Sequence, residues 1–545
     1  MPAPVRMAQA VGEGVESGEV LQRPMSDDES MIRHAVLVLP DQLTDQVGPV
    51  AEALAIKSAD APQIVMVEAR DAWALPRHIQ ALVSQVAAGR EFASALRARG
   101  LTVIQVTSDS LESGLQQLAQ KSKIKQCTVM EPASPEDLTR LRAAAVDAGI
   151  ELNVVPNALW LTSRAAWDDY REGRRELRME FWYRRVRADR GWLMESTPKG
   201  PKPVGGEWNL DHDNRQRLPK GAKVPPVPSL PRSKAVLAAI KEVTPHAVRA
   251  FGDADAFDWP TTRVEALEAL EHFCTDRLAE FGPYEDAMST EHQHLYHSLL
   301  SSAMNLGLLT PEEVCERALK EWKKRPKAIP LQSIEGFIRQ IIGWREFMHH
   351  AYTDYWETWR TANGLQHTAP LPQFFWTGET KMACVSRVVN KLKRTGHVHH
   401  IERLMVLGNF ALLLGVNPQQ VDAWFLETFI DALPWVVTPN VVAMSQFADL
   451  GTITSKPYIA GGAYVSRMGD DCGNCFYDPK ITVGDRACPL STLYWTFIDR
   501  HAKALGKNPR MGTQIRAWAG REASVKKAIR ARGSEVHRLA ESGEL

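Results

Sequence analysis

Four of the seven cysteines have the spacing of a metal or cluster site. Cys472 and Cys475 form a C-x2-C pair, Cys488 follows with a proline after it, and Cys384 lies well upstream. The loop inside a C-x2-C pair is too short to turn the two thiolates apart, so both can bind one ion. Such thiolate sets suit zinc or an iron–sulfur cluster, and the spacing alone slightly favours zinc. The alternative is a single C-x2-C turn beside unrelated buried cysteines.

A predicted helix near 397–414 carries a second group of candidate residues. His400, Arg403 and Leu407 fall at i, i+3 and i+7 and therefore share one helix face. His399 points roughly 100° away, because a helix has 3.6 residues per turn. A histidine beside an arginine on an otherwise apolar helix can be a proton donor held in a pocket. It can equally be a structural histidine bonded to a buried carbonyl.

The composition is that of an ordinary soluble globular protein with two or three domains. The 545 residues are 44% hydrophobic and 24% charged, with a formal net charge of zero, so any DNA-binding surface would be a local patch. Seven cysteines in so long a chain predict a reducing, cytoplasmic setting rather than a disulfide framework. No apolar run reaches the length of a membrane span. Residues 1–31 lack the apolar core of a secretory signal and predict a disordered tail.

Residues 32–160 alternate short apolar strands with helical stretches. This pattern predicts an α/β fold with a doubly wound parallel sheet. Ligands of such sheets bind at the carboxyl ends of strands, where Asp41 follows the first strand and Glu68 ends the second. Asp41 is as readily a helix cap as a ligand. The five predicted strands are 34–40, 64–68, 102–106, 127–131 and 152–155.

The rest of the chain is predicted to be a connector followed by helices. Residues 161–232 combine a helical part with a run rich in proline and glycine, which is typical of a loop. Residues 233–510 have helical apolar spacing with no sustained strand alternation, and they predict an all-α domain. Residues 511–545 are charged and predict a solvated helical tail.

Several motifs in a fixed order resemble the iron–sulfur bacterial cryptochromes and photolyases, a group similar to the prokaryotic (6-4) photolyases. The likeness extends from about residue 34 to about residue 510. It implies the cryptochrome/photolyase fold, with an α/β antenna domain at 32–160 and an all-α FAD-binding catalytic domain at 233–510. The motifs are the cysteine set, LYHSLLSSAMNLGLLTPEEV, FIRQIIGWREFMH, HHIERLMVLGNFALL and TSKPYIAGGAYVSRM.

The resemblance implies a U-shaped FAD in the helical domain. In this family a turn matching 298–301 binds the phosphates, and Trp344 would stack on a base extruded from DNA. Taken alone, Ser298 could equally cap a helix and Trp344 could belong to the core. The implied cofactor-binding residues are Ser298, Leu299, Leu300, Ser301, Gln340, Arg345, Arg403, Asp431 and Asn440.

The family's reaction assigns a role to the histidine pair. Light drives an electron from fully reduced FAD into a (6-4) pyrimidine lesion of UV-damaged DNA, and a proton must be delivered while an oxygen moves between the bases. His400 matches the family's catalytic histidine, and His399 is its neighbour. Eukaryotic relatives have a second histidine four residues further on. At that position this chain has Leu404, and the bacterial group also has leucine there. His400 is therefore expected to carry the acid role alone.

The resemblance also implies a 4Fe-4S cluster, rather than zinc, on Cys384, Cys472, Cys475 and Cys488. It places Trp376 and Trp424 on the family's electron-transfer route to the flavin. The neighbour of Trp424 is Phe425, where some relatives carry tyrosine. Because phenylalanine is much harder to oxidise, the outer part of the route is expected to differ here.

An antenna chromophore is implied for the α/β domain, with Asp41 and Glu68 as its candidate ligands. The candidate chromophore is a lumazine, 6,7-dimethyl-8-ribityllumazine. Relatives with a lumazine have a segment rich in Tyr, His and Lys after the second strand. This chain instead reads ARDAWALPRHIQALV, which departs from that pattern.

Three functions compete at this point. The first is a (6-4) photolyase, a monomeric bacterial enzyme that acts on UV-damaged DNA without contact with a membrane. The second is a cryptochrome-type photoreceptor with the same cofactors and little or no repair. The third is an iron–sulfur or zinc DNA-binding protein without light chemistry, which bound flavin in the purified protein would exclude.

Overall fold

The computed structural model of the protein describes residues 33–56, 61–198 and 200–545. The predicted N-terminal tail, residues 1–31, lies outside the described residues. No helix in the described ranges is both long and apolar enough to cross a membrane.

The N-terminal region is a five-stranded parallel sheet in the order β3-β2-β1-β4-β5. β1 lies at the centre and pairs with β2 and β4, and its buried run Ala35–Val38 explains why the sequence shows no polar alternation there. This confirms the predicted doubly wound α/β fold. The strands are β1 (Arg33–Val38), β2 (Gln63–Ala69), β3 (Val103–Ser108), β4 (Ile124–Met130) and β5 (Glu151–Val155), and the helices are α1 (Gly48–Ala55), α2 (Ile79–Ala98), α3 (Leu111–Lys121) and α4 (Pro135–Ala148).

The connector builds part of the core between the two regions. Trp167 and Trp182 are fully buried, and the guanidinium of buried Arg187 donates to the carbonyls of Leu193 at 2.8 Å and Trp208 at 2.9 Å. These bonds explain why a basic, aromatic stretch lies inside the protein. The elements here are α5 (Arg164–Arg171), α6 (Met179–Arg190) and the antiparallel pair β6 (Met194–Glu195) and β7 (Lys202–Pro203).

The following region is helical, as predicted, and four of its helices contain π segments. These segments are Phe273–Arg277, Arg339–Arg345, Glu402–Gly408 and Pro439–Ser445. The helices are α7 (Lys234–Val243), α8 (Arg263–His272), α9 (Leu278–Phe281), α10 (Ser301–Leu306), α11 (Pro311–Lys324), α12 (Leu331–Ile338), α13 (Glu346–Trp359), α14 (Phe374–Thr377), α15 (Ala383–Thr395), α16 (Asn409–Leu414), α17 (Pro418–Thr428), α18 (Pro434–Thr438), α19 (Gly462–Met468) and α20 (Pro489–Leu505).

The α/β region docks on the helical region through the start of α2. The imidazole of His78 bonds the carbonyls of Leu392 and Lys393 at 3.2 Å, and the amide of Gln80 donates to Arg394 O at 2.8 Å. Trp259 Nε1 donates to Gln80 Oε1 at 3.0 Å. Buried polar bonds of this kind fix how the two regions sit on each other.

The C-terminal helices α21 (Gly512–Ala519) and α22 (Ala523–Ser542) pack against α20. Ile529 and Val536 of α22 are buried in this contact. The expectation of a solvated tail is therefore wrong for the inner face of α22. Its apolar residues are interrupted by many charged ones, which hid the buried stripe in the sequence.

Candidate active site and cysteine centre

A cavity of about 1660 Å³ lies in the helical region and is closed on one side by the connector. Three of the π segments line it, namely those at Arg339–Arg345, Glu402–Gly408 and Pro439–Ser445. A π segment inserts one residue into a helix and frequently marks a functional site. The cavity exceeds the roughly 300–1,000 Å³ of an ordinary small-molecule pocket. It therefore has room for a large cofactor and an extruded base together.

The cavity wall brings together most of the residues that the sequence selects. Of the predicted cofactor-binding residues, Leu300 alone does not line the cavity, because its side chain is fully buried in the core, so only its backbone could serve a cofactor. Its neighbour Leu299 has a φ of +61°, an uncommon value for a residue with a side chain. The selected residues that line the cavity are Ser298, Leu299, Ser301, Gln340, Trp344, Arg345, His399, His400, Arg403, Asp431 and Asn440.

Asp431 organises one wall of the cavity. Both of its carboxylate oxygens accept bonds from the guanidinium of Arg403 at 3.0 Å, and Ser301 Oγ donates to it at 2.7 Å. Arg403 also donates to Val398 O at 2.7 Å and lies 4.2 Å from the ring centre of Phe429. This two-bond pair fixes the guanidinium where it can meet an anionic or carbonyl group of a ligand. The Ser301 hydroxyl is already used by Asp431, which limits its predicted phosphate role.

A second arginine of the cavity lining, Arg345, is also held in place by its neighbours. Arg345 pairs with buried Glu346 at 2.9 Å, and its guanidinium lies 4.0 Å from the ring centre of Trp160 and 5.4 Å from that of Trp435. Within the part of the chain that the structure describes, the buried Arg345 Nε atom has no hydrogen-bond partner. A buried donor left unpaired costs about 1–3 kcal/mol, so a bound ligand with an acceptor oxygen would relieve it.

Gln340 and Asn440 complete the polar lining. The Gln340 amide donates to Glu285 Oε1 at 2.7 Å, and the Asn440 amide donates to Val436 O at 2.7 Å. In both residues these bonds orient the amide group, and among the described residues the side-chain carbonyl oxygen has no hydrogen-bond partner. Trp344 is half-buried on the same wall.

The two histidines have different environments. His400 Nε2 lies 3.4 Å from Asp286 Oδ1, and 46% of the His400 side-chain surface is open toward the cavity. Burial opposes its charge, but the hydrogen bond to Asp286 and the charges of Glu285 and Asp211 raise the pKa of His400. His399 is buried, and burial together with neighbouring positive charges lowers its pKa well below the usual value. At neutral pH His400 is therefore the better proton donor of the two.

Aromatic rings lead away from the cavity on one side. Phe425 lines the cavity, its ring centre lies 5.1 Å from that of Trp424, and Trp424 lies 6.4 Å from Trp376. Trp424 is buried and donates from Nε1 to Phe375 O, whereas Trp376 is half-buried. The two predicted tryptophans are thus neighbours, with Phe425 between them and the cavity. The expectation that Phe425 alters the outer part of the route is therefore wrong, because this residue lies at the cavity end.

The four predicted ligand cysteines line one small cavity. Cys384 and Cys488 are buried, Cys472 and Cys475 are half-buried, and all four are free thiols. Burial and the neighbouring sulfurs raise the pKa of Cys384 and bring that of Cys472 to about 11. Thiolates are therefore unfavourable here unless a cation binds them. The donor set suits a thiolate-bound metal centre.

A buried ionic chain runs from this centre to the cavity. Arg387 binds Asp471, next to Cys472, at 2.6 and 2.9 Å, and it binds Glu402 at 2.6 Å. Lys391 Nζ lies 2.8 Å from Glu402, whose carboxylate also accepts the backbone N–H of His399 at 3.2 Å. Although burial opposes ionisation, Lys391 and Arg387 lower the pKa of Glu402 to about 2.

We expect Arg387→Met to lower the free energy of unfolding by about 3–5 kcal/mol. The change leaves Asp471 without its cationic partner, and breaking a buried pair from one side has this cost. Urea titration of the variant and of Arg538→Met measures the effect. Arg538 and its partner Glu544 are both about 60% exposed, so the control should change by less than 1 kcal/mol. Equal losses of stability in the two variants would show that the buried ion pairs of Arg387 do not stabilise the fold.

The antenna candidates lie at the predicted sheet edge. Burial and the nearby Asp137 raise the pKa of Asp41 to about 6. Glu68 binds Arg90 through both oxygens, at 2.7 and 2.9 Å. The carboxylate of Glu68 is thus already paired within the protein.

Several cavity residues have no recognisable signal in the sequence. Asp286, Glu285 and His297 reach the site from a loop more than 100 residues before His400. Phe429 packs beneath Arg403. Only the folded chain places these side chains beside the predicted ones.

The fold and the site define a class of protein, one with a parallel α/β region docked on a helical region that encloses a large ligand cavity. A family model described as deoxyribodipyrimidine photo-lyase-related protein matches residues 36–259. A (6-4) photolyase from Agrobacterium fabrum is 36% identical over 516 residues, which cover 92% of this chain and 98% of that protein. The chain belongs to the photolyase/cryptochrome family.

Solved structures agree on the fold. A bacterial class III photolyase from Agrobacterium tumefaciens matches with a TM-score of 0.58 at 17% identity, covering 89% of this chain and 100% of that one. A cryptochrome from Synechocystis matches with a TM-score of 0.53 at 16% identity, covering 80% and 89%. Because both types of protein share the fold, the fold does not separate repair from photoreception. Membership of the family implies FAD as the cofactor.

Proposed function

We propose that this protein repairs (6-4) pyrimidine photoproducts in DNA by a light-driven reaction. The observation that carries the proposal is His400, which faces the cavity with its charge supported by Asp286. The likeness over 92% of the chain to a protein named (6-4) photolyase supports the same reaction.

The cavity residues suit FAD and a lesion together. When bound, reduced FAD supplies the electron that light drives into the damaged bases. Arg403, fixed by Asp431, and Asn440 would orient the ring system, while backbone around Ser298 would face the phosphates. Gln340 would hydrogen-bond the lesion side of the site, and Trp344 would stack on an extruded base. Extrusion into this cavity also removes water from around the reacting groups.

His400 would donate the proton that the rearrangement requires. In a (6-4) lesion an oxygen must return from one base to the other, and the reaction has no net oxidation or reduction. The imidazolium protonates the leaving oxygen and takes the proton back when the two bases separate. Asp286 supports the charge of the imidazolium before the first transfer and after the second, and it holds the ring in place in the interval.

We expect the repair rate to fall as the pH rises through the raised pKa of His400. The protonated donor persists above the usual histidine value of about 6.5 and is then lost. Asp286→Asn removes one of the charges that raise this pKa, so the midpoint of the decline should move to lower pH. Initial repair rates from pH 5.5 to 9 measure both midpoints. Identical midpoints for the two proteins would contradict the role of Asp286.

We further propose that Cys384, Cys472, Cys475 and Cys488 bind a 4Fe-4S cluster. The support is the small cavity that they line together and the resemblance of the chain to the iron–sulfur photolyases. Trp424 and Trp376 would carry electrons from the surface toward the flavin. The electron would pass Phe425 without oxidising its ring. On the family resemblance, we also propose a lumazine antenna near Asp41 and Glu68.

Binding in the dark tests the proposed substrate. Wild-type protein should bind a duplex with one (6-4) thymine pair more tightly than the same duplex without damage. Trp344→Ala should remove about 1–3 kcal/mol of stacking, which is roughly a 5- to 150-fold rise in Kd for the damaged duplex. Fluorescence anisotropy measures both, with Trp322→Ala on α11 as the control. No preference for damaged DNA would argue for a photoreceptor instead.

A further inference from the structure

The end of α20, the loop after it and the two C-terminal helices form a strongly basic segment. Residues 500–532 contain ten lysines and arginines but a single acidic residue, Glu522, although the whole chain has no net charge. Within the part of the chain that the structure describes, only Arg530 and Arg532 of these cations pair with a carboxylate. The segment therefore creates a local positive field on a protein that is neutral overall.

Some of these cations have a structural explanation. Lys526 Nζ donates to Ala519 O at 2.9 Å and so binds a carbonyl at the end of α21. Lys503 lies in the last turn of α20, where a cation stabilises the helix dipole. The guanidinium of Arg521 lies 4.0 Å from the ring centre of Trp495. These side chains support the packing of the C-terminal helices and need no ligand.

Three other cations come together beside the cavity. Arg516 belongs to the last turn of α21, but its guanidinium runs back to the first turn, beside Gly512, and donates to Thr513 Oγ1 at 3.4 Å. It therefore lies close to Arg510, which lines the cavity, and Lys507 precedes Arg510 in the same loop. All three side chains are exposed, and none of them pairs with a carboxylate among the described residues.

The loop that carries these cations is fixed to the rim of the cavity. Asn508 Nδ2 donates to Ser455 O at 2.9 Å, and Asn508 Oδ1 accepts the backbone N–H of Arg510 at 3.0 Å. Ser455 and its neighbour Lys456 line the cavity, and Lys456 likewise has no carboxylate partner within the described ranges. Because like charges held close together repel one another, a bound anion would stabilise this arrangement.

We propose that Lys456, Lys507, Arg510 and Arg516 form a surface that binds the phosphates of duplex DNA beside the extruded lesion. This inference rests on the proposed function, because a lesion held in the cavity leaves its flanking duplex at the rim. α21 has eight residues and is about 12 Å long, whereas duplex DNA carries one negative charge for about every 1.7 Å of its axis. Several phosphates can therefore face the surface at once. Phosphate contacts position the duplex without reading its sequence, so damaged and undamaged flanks bind alike.

The salt dependence of DNA binding tests this surface. Protein loaded with flavin and with its cysteine-bound metal is titrated against a long undamaged duplex at several salt concentrations, and fluorescence anisotropy gives the Kd. In the double variant Lys507→Gln/Arg516→Gln the slope of log K against log salt should become shallower by about 2, and the Kd at low salt should rise roughly tenfold, since each phosphate contact contributes about 0.9 to the slope.

A second double variant controls for the change in net charge. Lys125→Gln/Arg142→Gln also removes one exposed lysine and one exposed arginine, but from the α/β region, and it should keep the wild-type slope. Equal slopes for wild type and Lys507→Gln/Arg516→Gln, or equal losses in the two double variants, would overturn the surface. So would the absence of any duplex binding by wild type.

A short lesion strand separates this inference from the proposed function. A single strand with one (6-4) pair and one nucleotide on each side can fill the cavity but has no flanking duplex. Wild type and Lys507→Gln/Arg516→Gln should bind it equally well. A weaker Kd of the variant for this short strand would place the two side chains at the lesion and overturn their assignment to the flank. Wild type that binds duplexes through Lys507 and Arg516 but does not prefer the lesion would contradict the proposed function and leave the surface standing.

Discussion

Replacing His400 by alanine is expected to lower the rate of (6-4) repair by about 10²–10⁴-fold, the usual contribution of a positioned general acid. The structure gives this side chain an open face on the cavity and a charge supported by Asp286 at 3.4 Å. Its buried neighbour His399 has a lowered pKa and is a poor substitute. The measurement is the initial rate of repair under blue light with chemically reduced protein.

Flavin content separates catalysis from cofactor binding in this experiment. His400→Ala should retain its flavin, because Arg403 and Asp431 are unchanged. His34→Ala, at an exposed position on β1, serves as the control and should repair at the wild-type rate. Repair that survives in His400→Ala would show that another group donates the proton.

Cys475→Ala is expected to remove the proposed metal centre and, with it, much of the folded protein. The four cysteines join α15, the short segment after α19 and the start of α20 around one small cavity. Because the ligands meet only in the folded chain, the free energy of metal binding is also free energy of folding. Iron, acid-labile sulfide and zinc are measured in the purified variant, with its yield and its unfolding transition.

Cys274→Ala is the matched control for this change. Cys274 is a fully buried thiol in the π segment at Phe273–Arg277, and its loss should leave a small void and the full metal content. Iron and sulfide in the wild type would support the 4Fe-4S cluster. Zinc alone would support a zinc site, which the cysteine spacing by itself slightly favours. Folded, flavin-replete Cys475→Ala protein without metal would contradict the dependence of folding on the centre.

The sequence contained the elements of this fold in recognisable form. The five strands of the sheet are short apolar runs, and the helices carry their apolar residues at helical spacing. The cysteine set and the His399–His400 pair could be selected from spacing alone. Their predicted functions came from the order of the motifs along the chain, because each motif by itself also has an ordinary structural explanation.

The parts that could not be predicted depend on contacts between distant residues. Asp286 sets the charge of His400 from a separate loop, and Arg387 joins Asp471 to Glu402 across two helices. Leu300 looked like one residue of a ligand-binding turn, but its side chain belongs to the core. The buried face of α22 was hidden among charges. In each case packing against another segment decides the role, and no local pattern records that packing.

The most direct test of the central claim is blue-light repair of an oligonucleotide that carries one (6-4) thymine pair. Reduced protein is illuminated, the products are separated by chromatography, and a dark sample and a cyclobutane-dimer oligonucleotide run in parallel. We expect restored thymines from the (6-4) pair, and in the light only. Bound and photoreducible flavin without any restored thymine would contradict it and would make the protein a photoreceptor or an enzyme for another lesion.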